Sequence, residues 1–471
     1  MNFSAFILIL ISLFLYNFAN DIIYERIPFL DKLIESNMKL AKLKTVGIII
    51  VNKTSPIFKK VYGETDKVSL TSPFILGSVS KSFTALGILK LKINLDQTLD
   101  KFDLKEYIDE NDAKYITISE LLNHTSGLDS MTRKITGKRG TFAYSNYGFA
   151  LLGKIIEKVS KKTYHNYMKE TIFEKLNMKN SYAEYNNEII DSYDNFFGAD
   201  SKYDIKYEIG DGFFVPAGFI SASIDDMGQY CQLYLNPDDD INKITHRNLL
   251  IMPGIHYGMG MMIKHKNGRD IYEHPGTVTS FLSHLYIFPD LELAYFVVTN
   301  THDNFCEGPA NAFIDSIEDF LISGSLKEID NKIFFFVHFT YDTIIIFIII
   351  IPLIYLIITI VRIAKRKKYL WFNEIKGKII FGIDAFILVI APIITLICLF
   401  SVDFYLKRKI EYSKDYKFGI FTTASLMFLT FIIKLIYVFV YDKYLKKNEK
   451  MKNKDDMDLD YLNVNNEETN E

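Results

Sequence analysis

Three short segments carry side chains whose types and spacing could do chemistry together. In Phe74-Ile-Leu-Gly-Ser-Val-Ser-Lys-Ser-Phe-Thr84 a glycine precedes Ser78 and Lys81, which stand three residues apart at an expected helix start. That spacing puts a hydroxyl and an amine on one helical face. A deprotonated lysine could accept the hydroxyl proton, and the N–H groups of a first helical turn favour a developing oxyanion. The same pair would serve equally as a helix cap and a solvated lysine. Tyr144-Ser145-Asn146 opens a second expected helix over residues 147–159. Its phenol could relay a proton and its amide could donate to a bound carbonyl, although a packed tyrosine and a capping asparagine have the same look. His274-Pro275-Gly276-Thr277 precedes an expected strand near Phe281. The imidazole could orient a substrate or assist proton transfer, and Gly276 would admit close backbone approach; a plain turn between strands has the same composition.

Any joint use of these segments needs elements that bring them together from distant parts of the chain. Residues 30–43 have the period of an amphipathic helix, and residues 45–51 and 58–62 read as neighbouring strands. Near the other end, residues 257–263, 282–288 and 293–298 read as strands, followed by a helix over 309–321. The middle reads as mostly helical, including residues 148–159 and 164–173. Strands at both ends around a helical middle predict one sheet closed by distant segments, with a helical lobe inserted between them. No internal repeat is evident, and the run Gly258-Met-Gly-Met261 reads as strand packing rather than a phosphate loop.

The order and context of the three motifs resemble the serine β-lactamase and penicillin-binding-protein superfamily, in which Ser-x-x-Lys, Ser-Asp-Asn and Lys-Thr-Gly recur. Tyrosine at the head of the second motif is similar to the class C β-lactamase branch with its esterase and D-aminopeptidase relatives. Leu121-Leu-Asn-His-Thr-Ser-Gly-Leu128 and Pro216-Ala-Gly-Phe-Ile-Ser-Ala-Ser-Ile-Asp-Asp-Met227 extend the resemblance over residues 30–325. It implies an α/β fold of the β-lactamase/transpeptidase type, an antiparallel sheet flanked by helices with a helical lobe. It further implies Ser78 as acylated nucleophile, Lys81 as its activating partner and Tyr144 as general base or relay. Asn146, His274, Gly276 and Thr277 would bind substrate, with the backbone N–H groups of Ser78 and Thr277 forming the oxyanion hole. Pro275 departs from the family pattern, lacking both a side-chain hydroxyl and a backbone donor, and Ser280 stands where relatives often have glycine before Phe281. His124, in the Leu-Leu-Asn-His segment, is expected to be structural. The chemistry needs no cofactor or metal, and the remaining histidines have no ligand spacing.

The implied reaction is hydrolysis of an amide, peptide or ester carbonyl through an acyl-enzyme, with a D-alanyl cell-wall peptide, a β-lactam or a short ester as the substrate. A non-catalytic surface or sensory module on the same fold is the rival reading, one that an intact Ser78, Lys81, Tyr144 and Asn146 argue against. With 57 acidic against 54 basic residues, the chain is neither a nucleic-acid binder by charge nor disordered by composition, and three cysteines build no disulfide framework. Residues 1–21 are expected to be a signal peptide or anchor, and 22–325 the hydrolase domain, followed by a linker over 326–332. Residues 343–361 carry no charged side chain; with 379–400 and 418–441 they predict three transmembrane helices within 333–441. The polar tail 442–471 has no reason to pack. Arg362 and Lys365 to Lys368 after the first span, and Lys443, Lys446, Lys447 and Lys450 after the third, predict cytoplasmic ends. The expected location is therefore a multi-pass cell-membrane protein with its catalytic domain outside.

Overall fold

The computed structural model describes residues 25–364 apart from 267, 304–306 and 331, then 383, 386–390, 393, 418–437 and a few isolated positions up to 451. The chain divides into two compact units, Met1–Phe335 and Phe336–Glu471. The expected leader at 1–21 lies outside the described residues.

The first unit is organised by strand β1 (Thr45–Asn52), whose sequence TVGIIIVN is apolar almost throughout because both its faces are covered. Successive side chains alternate: Val46, Ile48 and Ile50 join one hydrophobic cluster, Ile49 and Val51 the other. Strand β2 (Pro56–Gly63) pairs with one edge of β1, and β12 (Leu293–Thr299) pairs antiparallel with the other, Ile48 opposite Val297. The ends of the domain therefore meet in one sheet, as the strand pattern predicts. Beyond β12 come β11 (Phe281–Phe288), β10 (Arg269–Val278), β9 (Met262–Lys266), β8 (Ile255–Tyr257) and β7 (Leu249–Met252), completing eight strands in the order β2-β1-β12-β11-β10-β9-β8-β7, while β3 (Phe74–Ile75) with β6 (Ser221–Ala222) and β4 (Ser192–Phe196) with β5 (Ala199–Tyr203) form two separate pairs.

On one face, helix α1 (Leu30–Leu40) and helix α2 (Gly308–Ser323) cover the sheet with Leu33, Ile34, Phe313 and Ile317. The other face carries the helix Ile224–Leu235 and the inserted helical lobe, including Ser80–Lys90 and Asn146–Ser160. The structure is the β-lactamase-like α/β arrangement expected, an antiparallel sheet with helices on both sides.

Two readings of local structure need correction. Residues 257–263 are not one strand: β8 ends at Tyr257, β9 starts at Met262 opposite it, and Gly258 to Met261 make the corner between them. The middle also contains a hairpin, Ser192–Phe196 with Ala199–Tyr203.

In the second unit two helices are long and apolar enough to cross a membrane, Phe335–Val361 (27 residues, starting at the end of the first unit) and Phe418–Tyr437 (20 residues). At 1.5 Å rise per residue the shorter spans about 30 Å, the thickness of a hydrocarbon core. The expected middle span at 379–400 and the tail at 442–471 lie almost wholly outside the described residues.

Candidate active site

Ser78 sits in a tight turn, Gly77–Val79, between the short strand Phe74–Ile75 and the helix Ser80–Lys90. Two neighbours fix that turn. Gly77 has φ of +55°, and a Cβ on it would lie 2.5 Å from the Thr277 nitrogen, so glycine is required by conformation and by space. A Cβ on Gly276 would meet the Leu76 carbonyl oxygen at 2.1 Å, so β10 can touch the turn only through a glycine. The Ser78 segment and the Thr277 amide are thereby held side by side. Strand β9 pairs with β10 only from Arg269 to Glu273, which leaves the 274–278 stretch uncovered by β9. Pro275 falls in that stretch, where a missing N–H deprives β9 of nothing.

Lys81, the second residue of the helix, is fully buried and donates to three acceptors: Ser78 Oγ at 3.0 Å, Asn146 Oδ1 at 2.7 Å and the Ala217 carbonyl at 2.6 Å. Three acceptors match the three N–H groups of an ammonium. Tyr144 Oη lies 2.8 Å from Ser78 Oγ, with the phenol donating, and the Lys81 Nζ is 4.8 Å from the centre of its ring. Asn146 is the first residue of its helix; Ser145, not Asn146, is the cap, accepting from the Gly148 amide at 3.0 Å. The Asn146 amide oxygen is turned to Lys81, and its nitrogen makes long contacts of 3.5 Å to Ser130 Oγ and 3.6 Å to Met131 Sδ.

Behind Tyr144 lies a connected row of rings. His124, buried with φ of +57°, packs against Tyr144 with ring centres 4.3 Å apart and planes tilted by 38°. Its Nδ1 accepts from the Ser145 amide at 3.1 Å, and its Nε2 meets the Tyr257 hydroxyl at 3.0 Å. Tyr257 in turn reaches His274 Nε2 at 3.4 Å, and His274 Nδ1 donates to its neighbour's carbonyl, Pro275 O, at 2.7 Å. Burial first, and the charge of Lys81 second, push His124 well below the usual imidazole range and His274 down to about 3. Burial holds the Tyr257 phenol protonated. Both imidazoles are neutral.

Of the residues expected at the site, the structure brings together Ser78, Lys81, Tyr144, Asn146, Gly276 and Thr277. His274 differs: it lies within β10 rather than in a turn, and its side chain is 1 % exposed with both ring nitrogens engaged. Ser280 is also buried, donating to Ser192 Oγ at 2.7 Å. Sequence reasoning missed Ala217, whose carbonyl holds Lys81, and Ser80, whose hydroxyl accepts from the Ile220 amide at 3.1 Å. The signal was the Pro216-Ala-Gly-Phe run, which braces the helix bearing Lys81.

The model of the Beta-lactamase family matches residues 30–318, more than half of the chain and the whole of the region holding this cluster. The chain belongs to the Beta-lactamase family. The chain is similar to Protein flp of Staphylococcus aureus (strain N315), 27% identical over 332 residues covering 59% of this chain and 63% of that one. It is also similar to Beta-lactamase-like protein 4 of Dictyostelium discoideum, at 24% identity with 61% and 62% covered. The chain thus spans less than two thirds of the length of these curated relatives. Among solved structures, the octameric penicillin-binding protein homologue from Pyrococcus abyssi shares the fold with a TM-score of 0.55 and 23% identity, over 64% of this chain and 79% of that one. A D-stereospecific amidohydrolase from Streptomyces sp. gives 0.50 and 18%, over 62% and 98%. The fold is that of a family of serine hydrolases.

Proposed function

We propose that this chain is a membrane-held serine hydrolase that cleaves an amide, peptide or ester carbonyl through an acyl-enzyme on Ser78. The observation that carries this is the convergence of Ser78, Lys81, Tyr144 and Asn146 from two separate segments within direct hydrogen-bond reach. Lys81 is saturated as an ammonium, so the base that takes the Ser78 proton is Tyr144 in its phenolate form, stabilised by that charge. Ser78 Oγ bonds to the carbonyl carbon, the tetrahedral oxygen is held by the Ser78 and Thr277 amides, and Asn146 Nδ2 donates to the acyl side. Tyr144 passes the proton to the leaving oxygen or nitrogen as its bond to carbon breaks. A water then repeats the sequence: its oxygen bonds to the carbonyl carbon, its proton moves through Tyr144 to Ser78 Oγ as the Oγ–carbon bond breaks, and the carboxylic acid is released. D-alanyl cell-wall peptides, β-lactams and short esters all present such a carbonyl.

The placement we propose is a multi-pass membrane protein with the hydrolase unit on the outer side. The helices 335–361 and 418–437 touch with matching direction: the Gly419 position abuts Ile345, Thr423 donates to the Ile348 carbonyl, and Lys434 to the Tyr355 hydroxyl. Contacts that advance together along both helices make them parallel. If both cross a bilayer, the chain between them must return across it, which is the part the sequence gives to residues 379–400.

The test is intact-protein mass spectrometry of the full chain with a fluorophosphonate probe, penicillin, a D-alanyl-D-alanine peptide and a short-chain ester. A covalent adduct on the Ser78 peptide, lost in Ser78→Ala, is expected. Equal labelling or turnover by Ser78→Ala overturns the proposal. Protease accessibility on sealed vesicles tests which side the hydrolase unit occupies.

A further inference from the structure

The hydrolase unit carries a second feature that the proposed chemistry does not use. Asn-x-Ser/Thr, the acceptor pattern for N-linked sugar, occurs within residues 22–325 at Asn52-Lys-Thr54 and at Asn123-His-Thr125. A pattern of three residues arises often by chance, so the structure around each asparagine decides what it can carry. Asn52 ends β1 and opens the turn into β2. Lys53, Thr54, Ser55 and Pro56 are all exposed, and Asn52 itself is half-buried. Its Oδ1 accepts from the Thr54 amide at 2.9 Å, the Thr54 hydroxyl at 3.0 Å and the Ser55 amide at 2.9 Å. Such a turn, closed by the asparagine side chain on the next three residues, needs nothing from the rest of the fold, and a nascent chain can form it before the sheet exists. In the folded unit the turn is held through backbone carbonyls: Gln232 Nε2 donates to Asn52 O at 3.2 Å, and Asn236 Nδ2 to Lys53 O at 2.9 Å. A sugar on the Asn52 amide nitrogen disturbs neither carbonyl and leaves Oδ1 with its donors. The turn is also remote from the cleft. Val46, Thr299, Leu282 and Thr277 are successive partners across the sheet, and Asn52 lies six residues beyond Val46, about 20 Å further along the strand.

Asn123 is placed differently. It ends the helix Ile118–Leu122, where its Nδ2 donates to Ser119 Oγ at 3.3 Å and its Oδ1 accepts from Asn248 Nδ2 at 3.3 Å. The middle residue of its pattern, His124, is wholly buried and packs behind Tyr144. A sugar on Asn123 would displace the contact to Ser119 in the very segment that supports the active-site phenol.

We infer that Asn52 is the acceptor of an N-linked oligosaccharide and that Asn123 is not. Asn52 Nδ2 bonds to the anomeric carbon of an oligosaccharide carried on a polyprenyl diphosphate. The bond from that carbon to the diphosphate oxygen breaks, its electron pair leaves with the diphosphate, and the nitrogen gives up one proton. This rests on the outward placement of the hydrolase unit proposed above, because the transfer takes place on the lumenal side of a membrane, which corresponds to the outer one.

The experiment translates the full chain in the presence of sealed microsomes that contain the transferase and its lipid-linked donor. A single upward gel shift, removed by an endoglycosidase, is expected. It should be kept in Asn123→Gln and lost in Asn52→Asp, a variant that retains the oxygen closing the turn. Thr54→Ala should lose the shift and Thr54→Ser keep it, since the hydroxyl is what the two acceptor patterns share. A shift that survives Asn52→Asp, or a second shift lost in Asn123→Gln, overturns the inference. So does a hydrolase unit that is protected from added protease and yet unshifted. A unit that is open to protease and unshifted overturns the outer placement, and the inference with it.

Discussion

Replacing Gly276 by alanine isolates the contact that assembles the oxyanion hole, because the added methyl faces the nucleophile turn and no substrate-binding side chain is removed. The new Cβ would lie 2.1 Å from the Leu76 carbonyl oxygen and 2.3 Å from Ser283 Oγ, while ordinary contact begins at 3.4 Å. Strand and turn must separate by about 1.3 Å, and the Ser283 hydroxyl that donates to Leu76 O at 2.7 Å must let go. The Thr277 amide moves away from Ser78 by a comparable distance. A misplacement of about 1 Å costs roughly a hundredfold in rate, and loss of one oxyanion donor about 3 kcal/mol or 10²- to 10³-fold. Steady-state kinetics on a short ester should therefore show kcat falling by two to three orders of magnitude with KM changed little. Circular dichroism should show a folded protein whose melting point is lower. Activity within about threefold of wild type would mean that β10 does not supply the second oxyanion donor, and the geometry assigned to Thr277 would be wrong.

Tyr144→Phe should lower the acylation rate by about 10²- to 10⁴-fold, measured by stopped-flow ester hydrolysis, without loss of fold; near-normal acylation would return the role of base to Lys81. Lys81→Met should reduce acylation similarly, and it leaves Asn146 Oδ1 and the Ala217 carbonyl without a donor, at a cost of about 1–3 kcal/mol each in urea unfolding. Tyr257→Phe should destabilise by a similar amount, since His124 Nε2 and His274 Nε2 lose their partner, while leaving Ser78 labelled by a fluorophosphonate. His124, His274 and His284 are all lowered by burial, so the unfolded chain binds protons near pH 6.5 that the folded chain refuses. Their contribution to stability is full above pH 6.5 and is lost as pH falls toward about 3, by up to about 1.4 kcal/mol per pH unit for each. Asp226 and Glu273, raised by burial, act in the opposite sense nearer their own range. Urea midpoints should drop between pH 7 and pH 5; a midpoint that rises over that interval would show the imidazoles to be charged in the folded state.

The nucleophile segment and the central strands were legible because their signals are local. Gly77, Ser78 and Lys81 fall within five residues, and β1, β11 and β12 are apolar runs that only a covered sheet can bury. The hairpin 192–203 escaped notice because its turn is Phe197-Gly198, with both residues at positive φ, where Asn-Gly or Asp-Gly is the usual marker. The burial of His274 was not legible for a different reason. Which way a strand residue points is fixed by the alternation, but what it meets depends on Tyr257, seventeen positions away, and on where β9 stops pairing. The same holds for the Ala217 carbonyl, which has no side-chain type to betray it.

Among the described residues Lys81 is the cation hydrogen-bonded to Ser78, and the proposed reaction needs a base beside it. The acceptors Asn146 Oδ1 and Ala217 O satisfy hydrogen bonds of Lys81 and carry no net charge, so a negative charge formed beside this buried ammonium is favoured. The two buried imidazoles behind Tyr144 supply no such charge. The group near Ser78 placed to become the counter-ion is the Tyr144 phenol, 2.8 Å from Ser78, and it does so only by losing a proton. In a site of low dielectric the attraction between that phenolate and the ammonium is strong. In the proposed mechanism Lys81 thus acts by keeping Tyr144 deprotonated and able to take the Ser78 proton, and His124 and His274, neutral by burial, leave that ammonium as the charge beside the phenolate.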